Sequence, residues 1–178
     1  MTSRRQGSIR VGGASGFWDE SDMALPQLLA AGDIDYFVFD YLAEVTMSIM
    51  ARAREADPSQ GYATDFVTSV LKPHIKQIAA SGAKVISNAG GVNPEACGIA
   101  VRGLVEAAGL DLRVAVITGD DLMENLGGFS DCKSMDTGAS LPDLAKVVSA
   151  NAYLGAFPIS AALNQGADIV ITGRCVDS

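Results

Sequence analysis

Two carboxylates are the first candidates for chemistry. Asp40 closes the apolar run Tyr36-Phe37-Val38-Phe39, and Glu44 follows four residues later, where a helical pattern begins. Paired carboxylates can divide the roles of base and acid, because proximity drives their pKa values apart. Asp40 is the candidate general base and Glu44 its catalytic companion. Acidic residues also suit a helix N-terminus through the dipole, so a structural role stays open for both. The second candidate is the segment Asn88-Ala89-Gly90-Gly91-Val92-Asn93, followed by Pro94. Gly90 and Gly91 let a backbone approach a ligand closely. With Asn88 and Asn93 they lead into a helix whose N-terminus favours anions. A plain left-handed turn capped by Asn93 is the alternative. Gly12-Gly13-Ala14-Ser15-Gly16 offers Gly13 and Ser15 to the same kind of ligand. Asp120-Asp121 suits a hard cation or an acidic helix start, and Asp120 is the member assigned to ligand binding. Arg174 follows an apolar run directly and could clamp a carboxylate or phosphate bidentately, or pair with Asp177.

Several chemistries find no support. The first glycine segment lacks the GxGxxG spacing of a dinucleotide fingerprint, although Asp40 could serve as a ribose partner. No GxxxxGK[ST] is present, so a phosphate-binding P-loop is absent. No cofactor is assigned. His74 is the single histidine, and Cys97, Cys132 and Cys175 are widely spaced without a CxxC, which argues against a zinc site and against a disulfide framework. With one histidine, placed on a helical face, Ser15 has no triad. Cys97, inside a helical pattern, is expected to be an inert buried thiol.

The elements that must carry these residues alternate strand, loop and helix. Strands are expected at Ile9 to Gly12, Tyr36 to Phe39, Lys84 to Ser87, Arg113 to Thr118 and Asp168 to Thr172. Helices are expected over Met23 to Ala31 with Ser21 or Asp22 as N-cap, over Glu44 to Ala56, and over Ala63 to Ala80 with a kink or break at Pro73. A further helix follows Asn93, a short one follows Asp121, and two more cover Leu141 to Ser149 and Ala156 to Gln165. Gly127 to Ser140 is expected to be a mobile loop. Uniformly apolar strands suit a sheet covered on both faces. The fold class is therefore α/β: an open, mostly parallel sheet with helices on both faces, a Rossmann-like three-layer arrangement. Five strands are too few to close an eight-stranded barrel. Ligands in such sheets bind beyond the carboxyl ends of the strands, where all the candidate loops lie.

The 178 residues fit one domain, taken as 8–178 behind a disordered tail, 1–7. Strands here precede helices, so a chain stopping just after a strand is expected to be the N-terminal portion of something longer. A net charge of −8 argues against nucleic acid and against an anionic membrane surface. No apolar run approaches a membrane span of ~20 residues, and Met1 to Gly7 leads into no signal sequence. The cytoplasm is the expected compartment.

The loops themselves carry a resemblance. Gly12-Gly13-Ala14-Ser15-Gly16-Phe17-Trp18, Asp40-Tyr41-Leu42-Ala43-Glu44-Val45-Thr46-Met47 and Gly61-Tyr62-Ala63-Thr64-Asp65-Phe66 resemble the acyclic terpene utilisation family. So do Ser87 to Pro94, Thr118-Gly119-Asp120-Asp121, Asn151-Ala152-Tyr153-Leu154-Gly155-Ala156 and Gly166 to Arg174. The resemblance implies bacterial breakdown of acyclic terpenoids through branched acyl-CoA thioesters. It therefore implies a small-molecule ligand such as an acyl-CoA, and a homo-oligomer or a carboxylase-pathway partner. It names no reaction. A catabolic lyase or hydratase moving a proton on an acyl-CoA or carboxylated acyl substrate is the expectation, with Asp40 as base, Gly90, Gly91 and Asn93 as anion donors and Arg174 as carboxylate clamp. A non-catalytic binding or scaffolding subunit is the rival, and a nucleotide binder a third reading.

Overall fold

The computed structural model describes residues 7–20 and 22–176. The expected tail therefore falls, but for Gly7, outside the described residues, as do Ser21 and Asp177. Five strands, β1 (Val11–Ser15), β2 (Tyr36–Phe39), β3 (Lys84–Ser87), β4 (Val114–Ile117) and β5 (Ile169–Thr172), form one sheet in the order β1-β2-β3-β5-β4. Every pairing is parallel. The helices are α1 (Ala24–Ala31), α2 (Glu44–Ala56), α3 (Lys72–Ser81), α4 (Pro94–Ala107) and α5 (Phe157–Asn164).

Alternation along the strands separates two cores. Phe37, Phe39, Val85, Ile169 and Ile171 point to one face, where they pack with Leu25 of α1, Ile75 and Ile78 of α3, and Val101 and Val105 of α4. Val170 and Ile117 point to the other, against Ile159, Ala162 and Leu163 of α5. The sheet is thus an α/β three-layer structure, but among the described residues its second face is covered only over β4 and β5, with Ile86 of β3 at the margin. On β1 that face leaves Val11 61% exposed.

Several elements differ from expectation, each for a local reason. Strand β1 runs on to Ser15, so Gly13, Ala14 and Ser15 lie in the strand rather than in a loop. A Cβ on Gly12 would stand 3.0 Å from Leu28, so the missing side chain lets α1 sit close on the sheet. Helix α1 starts one residue later than expected, with Met23 at the N-cap and no side-chain cap. The helix expected over Ala63 to Ala80, with its kink or break at Pro73, starts later and divides as expected: a π-helical segment, Phe66–Leu71, runs into α3. Pro73 lacks the N–H that Ser69 would need for a continuous α-helix. Opening the ladder to a Lys72 N–H to Val67 C=O bond puts Pro73 in the first turn of α3, where no donor is missed. Leu141 to Ser149 contains only a 3-10 turn, Leu144–Lys146, and another, Met123–Phe129, follows β4.

Candidate functional site

The connection leaving β3 enters α4 on one face, and the connection leaving β4 reaches α5 on the other. Strand β5 lies between them, so the loops diverge over its carboxyl end. Such a switch point is where open parallel sheets form a crevice. The residues at its floor are Thr172, Gly173 and Arg174, with Ala89 and Gly90 on the β3 side and Asp120 on the β4 side.

Asp120 is 2% exposed. Its Oδ2 accepts from the Arg174 backbone N–H at 2.8 Å and from Asn151 Nδ2 at 3.0 Å. Gly173 makes the approach feasible, because a Cβ there would lie 2.8 Å from the Asp120 Cγ. Burial pushes the Asp120 carboxyl above its ordinary pKa, and the bonds from Arg174 and Asn151 offset only part of that. The Asn151 segment lies antiparallel to the Asp120 loop. The Leu122 N–H donates to Ala150 O, and the Ala152 N–H to Asp120 O, each at 2.8 Å.

Arg174 is 8% exposed. Its Nη2 donates to Glu44 Oε1 at 3.0 Å and to Tyr153 Oη at 2.7 Å, and its guanidinium lies 4.9 Å from the Tyr153 ring centroid. The ion pair runs to Glu44, 83% exposed in the first turn of α2, and Asp177 lies outside the described residues. Glu44 is held there by a helix start in which the Ala43 N–H donates to Thr46 Oγ1 at 2.7 Å.

Asp40 is exposed at the end of β2. Its Oδ1 accepts from Asn88 Nδ2 at 2.6 Å and from the Leu42 N–H at 3.3 Å, while Asn88 Oδ1 accepts from the Tyr41 N–H at 2.7 Å. The Oδ2 atom takes no bond from the described residues, which leaves it directed to solvent. Strand spacing puts the ends of β2 and β5 roughly 10 Å apart, with Asn88 between them.

The other candidates make contacts within the fold. The Gly90 N–H donates to Thr172 O, the Gly91 N–H to Asn88 O and the Asn93 N–H to Gly90 O. Asn93 caps α4 through Ala96 and ties down Pro58 O and Gln60 O with its amide. Gly91 has φ +55 and backs onto Met50. These glycines admit protein neighbours, and their amides are engaged before any ligand arrives. Ser15 Oγ stands 2.9 Å from Asp40 O and 3.0 Å from Phe17 O, so its proton goes to a backbone carbonyl. Gly13 lies on the uncovered face of β1. Asp121 turns away from Asp120, bonding Arg54 Nη1 at 2.8 Å and the Met123 N–H at 2.9 Å. Among the described residues no group of three or more His, Cys, Asp or Glu could hold a metal ion.

Asn151 and Tyr153 carry no role in the sequence reading, although both stand in one of the recognised motifs. Nothing in their spacing announces that this segment folds back over β4. Cys175 is buried beside them, its Sγ 3.0 Å from Gly155 O, with its pKa raised by burial and by the Asp120 charge.

Fold and site together define an open parallel α/β protein with a cluster of polar and charged side chains at a strand-end switch point. The family model described as acyclic terpene utilisation family protein AtuA matches residues 9–178, and the chain belongs to that family. No curated protein and no solved structure matches it. No helix among the described residues is long and apolar enough to cross a membrane.

Proposed function

We propose that the crevice binds a small carboxylated acyl compound, such as a branched acyl-CoA bearing a second carboxylate, and moves a proton on it. The observation that carries this reading is Arg174, a nearly buried guanidinium at the switch point with one edge against an exposed carboxylate. Buried arginines suit planar oxoanions, which they meet with two parallel hydrogen bonds. Tyr153 Oη beside it adds a hydroxyl to the same position.

Asp40 is the base in this scheme. Its Oδ1 is oriented by Asn88, leaving Oδ2 to accept a proton from carbon. The roughly 10 Å between the strand ends suits an acyl chain held at one end by Arg174 and deprotonated further along. Asp120 touches no substrate. It fixes the backbone of Arg174, and through it the aim of the guanidinium. With Gly90, Gly91 and Asn93 committed to the fold, oxyanion stabilisation falls to side chains of the crevice rather than to those amides.

The test is turnover of acyl-CoA thioesters with and without a terminal carboxylate, followed by mass spectrometry. Asp40→Asn is expected to cut turnover at least ~100-fold, the usual scale of a general base. Unchanged turnover would remove Asp40 from the mechanism. A second reading, a non-catalytic subunit escorting another enzyme, is favoured by the half-covered sheet face around Val11. Co-purification with a pathway enzyme, without turnover of any thioester, would establish it instead.

A further inference from the structure

Glu44 and Arg174 make an unequal pair. The Arg174 side chain is 10% exposed and that of Glu44 83%, yet Oε1 and Nη2 are 3.0 Å apart. A buried cation needs an anion beside it, whereas an exposed glutamate gives up such a contact for water at little cost. The Glu44 carboxylate bonds Arg174 Nη2 from the solvent side, and it has the chemistry a ligand would bring there. We infer that Glu44 is a displaceable stand-in for the ligand's carboxylate, so that binding is an exchange of one carboxylate for another on Arg174. This rests on the anion-site reading above and adds a competitor to it.

The consequence is a lowered apparent affinity. While Glu44 holds Arg174, the competent fraction of the protein falls, and the apparent Kd rises by the inverse of that fraction. An ion pair with one exposed member contributes at most about 1 kcal/mol, which converts to roughly a 5-fold effect. Glu44→Gln keeps the shape of the side chain and an oxygen for Arg174 but removes the competing charge. Glu106→Gln, at the far end of α4, removes one charge without touching the crevice and controls for net charge.

Malonate and inorganic phosphate are the probes, titrated calorimetrically into the full chain at fixed ionic strength. Malonate is expected to bind E44Q about 5-fold more tightly than wild type or E106Q, and to lose most of its affinity in Arg174→Lys, which keeps the charge but not the fork. Phosphate is expected to bind more weakly than malonate in every variant, and the reverse order would overturn the carboxylate assignment. If R174K abolishes malonate binding while E44Q matches wild type, the anion site stands and the stand-in is overturned. Equal affinities in wild type and R174K, or no binding by any variant at millimolar malonate, overturn both. Urea midpoints of each variant separate these outcomes from loss of fold.

Discussion

Asp120 is where function and stability pull against each other most clearly. Its carboxyl is buried, and its pKa stands above the ordinary carboxylate value because desolvation outweighs the bonds from Arg174 and Asn151. The folded state therefore holds this proton more tightly than the unfolded chain does. Its contribution to stability is largest below the unfolded pKa near ~4 and declines as pH rises through the folded value. Burial disfavours the charged form, and Asp120→Asn, which can still accept from the Arg174 N–H, is expected to leave stability at neutral pH unchanged or raised. Urea midpoints from pH 4 to 8 should lose their downward slope in the variant, while malonate affinity stays near that of wild type because the Arg174 N–H keeps its acceptor. A variant that unfolds more readily at pH 7 than wild type would show that the charge itself is structural. Asp40 presents the opposite case, an exposed carboxylate with one oxygen held by Asn88, whose removal is expected to cost little stability.

At the scale of elements, three of the strands are tied together at their amino ends, away from the candidate site. Asp168, just before β5, meets Lys84 Nζ of β3 at 2.5 Å and accepts from the Arg113 N–H, before β4, at 2.8 Å. One carboxylate thus ties the amino ends of three neighbouring strands. Burial alone would raise its pKa, but the Lys84 and Arg113 contacts together bring it below the ordinary value. The stabilisation is fully present above the unfolded pKa near ~4 and is lost as pH falls through the lowered folded value. Asp168→Asn is expected to cost about 1–3 kcal/mol at pH 7, the scale of hydrogen bonds to charged groups, and nearly nothing in strong acid. Chemical denaturation at the two pH values checks this, and an equal loss at both would assign the effect to packing. The π-helical segment before α3 shows the same economy of local causes, since one proline sets where the ladder opens.

For the whole molecule, burial sorts three cysteines that look alike in the sequence. Cys97 is fully buried in α4 and its thiol is pushed up to about 12 by desolvation, Cys175 is buried beneath Gly155, and Cys132 is exposed. Brief iodoacetamide treatment of the native protein at pH 8 is expected to label Cys132 alone, with Cys97 and Cys175 reacting only after unfolding. Peptide mapping reads this directly. Prompt labelling of Cys175 would mean that the crevice opens far more than the packing around Asp120 allows. The uneven covering of the sheet is also a property of the whole. Among the described residues one face is filled by α1, α2, α3, α4 and the π-helical segment, and the other by α5, over β4 and β5.

By itself the sequence determined the alternation of strands and helices, the parallel sheet and the loops that bear its polar residues, because apolar periodicity and turn chemistry are local signals. It also carried the family, since the motifs are contiguous runs. Tertiary structure decided which of those residues meet. Glu44 and Arg174 are 130 positions apart and Asp120 and Arg174 54, and only the placement of β5 between β3 and β4 brings them to one crevice. The same placement engages the amide of Gly90 through Thr172 O, while those of Gly91 and Asn93 close turns within their own segment, although the sequence is that of an anion loop. Asn151 and Tyr153 join the site because an irregular segment folds back over β4, and no periodic pattern encodes that fold-back. Local chemistry fixes what a residue can do, and the order of strands in the sheet fixes which partner it does it with.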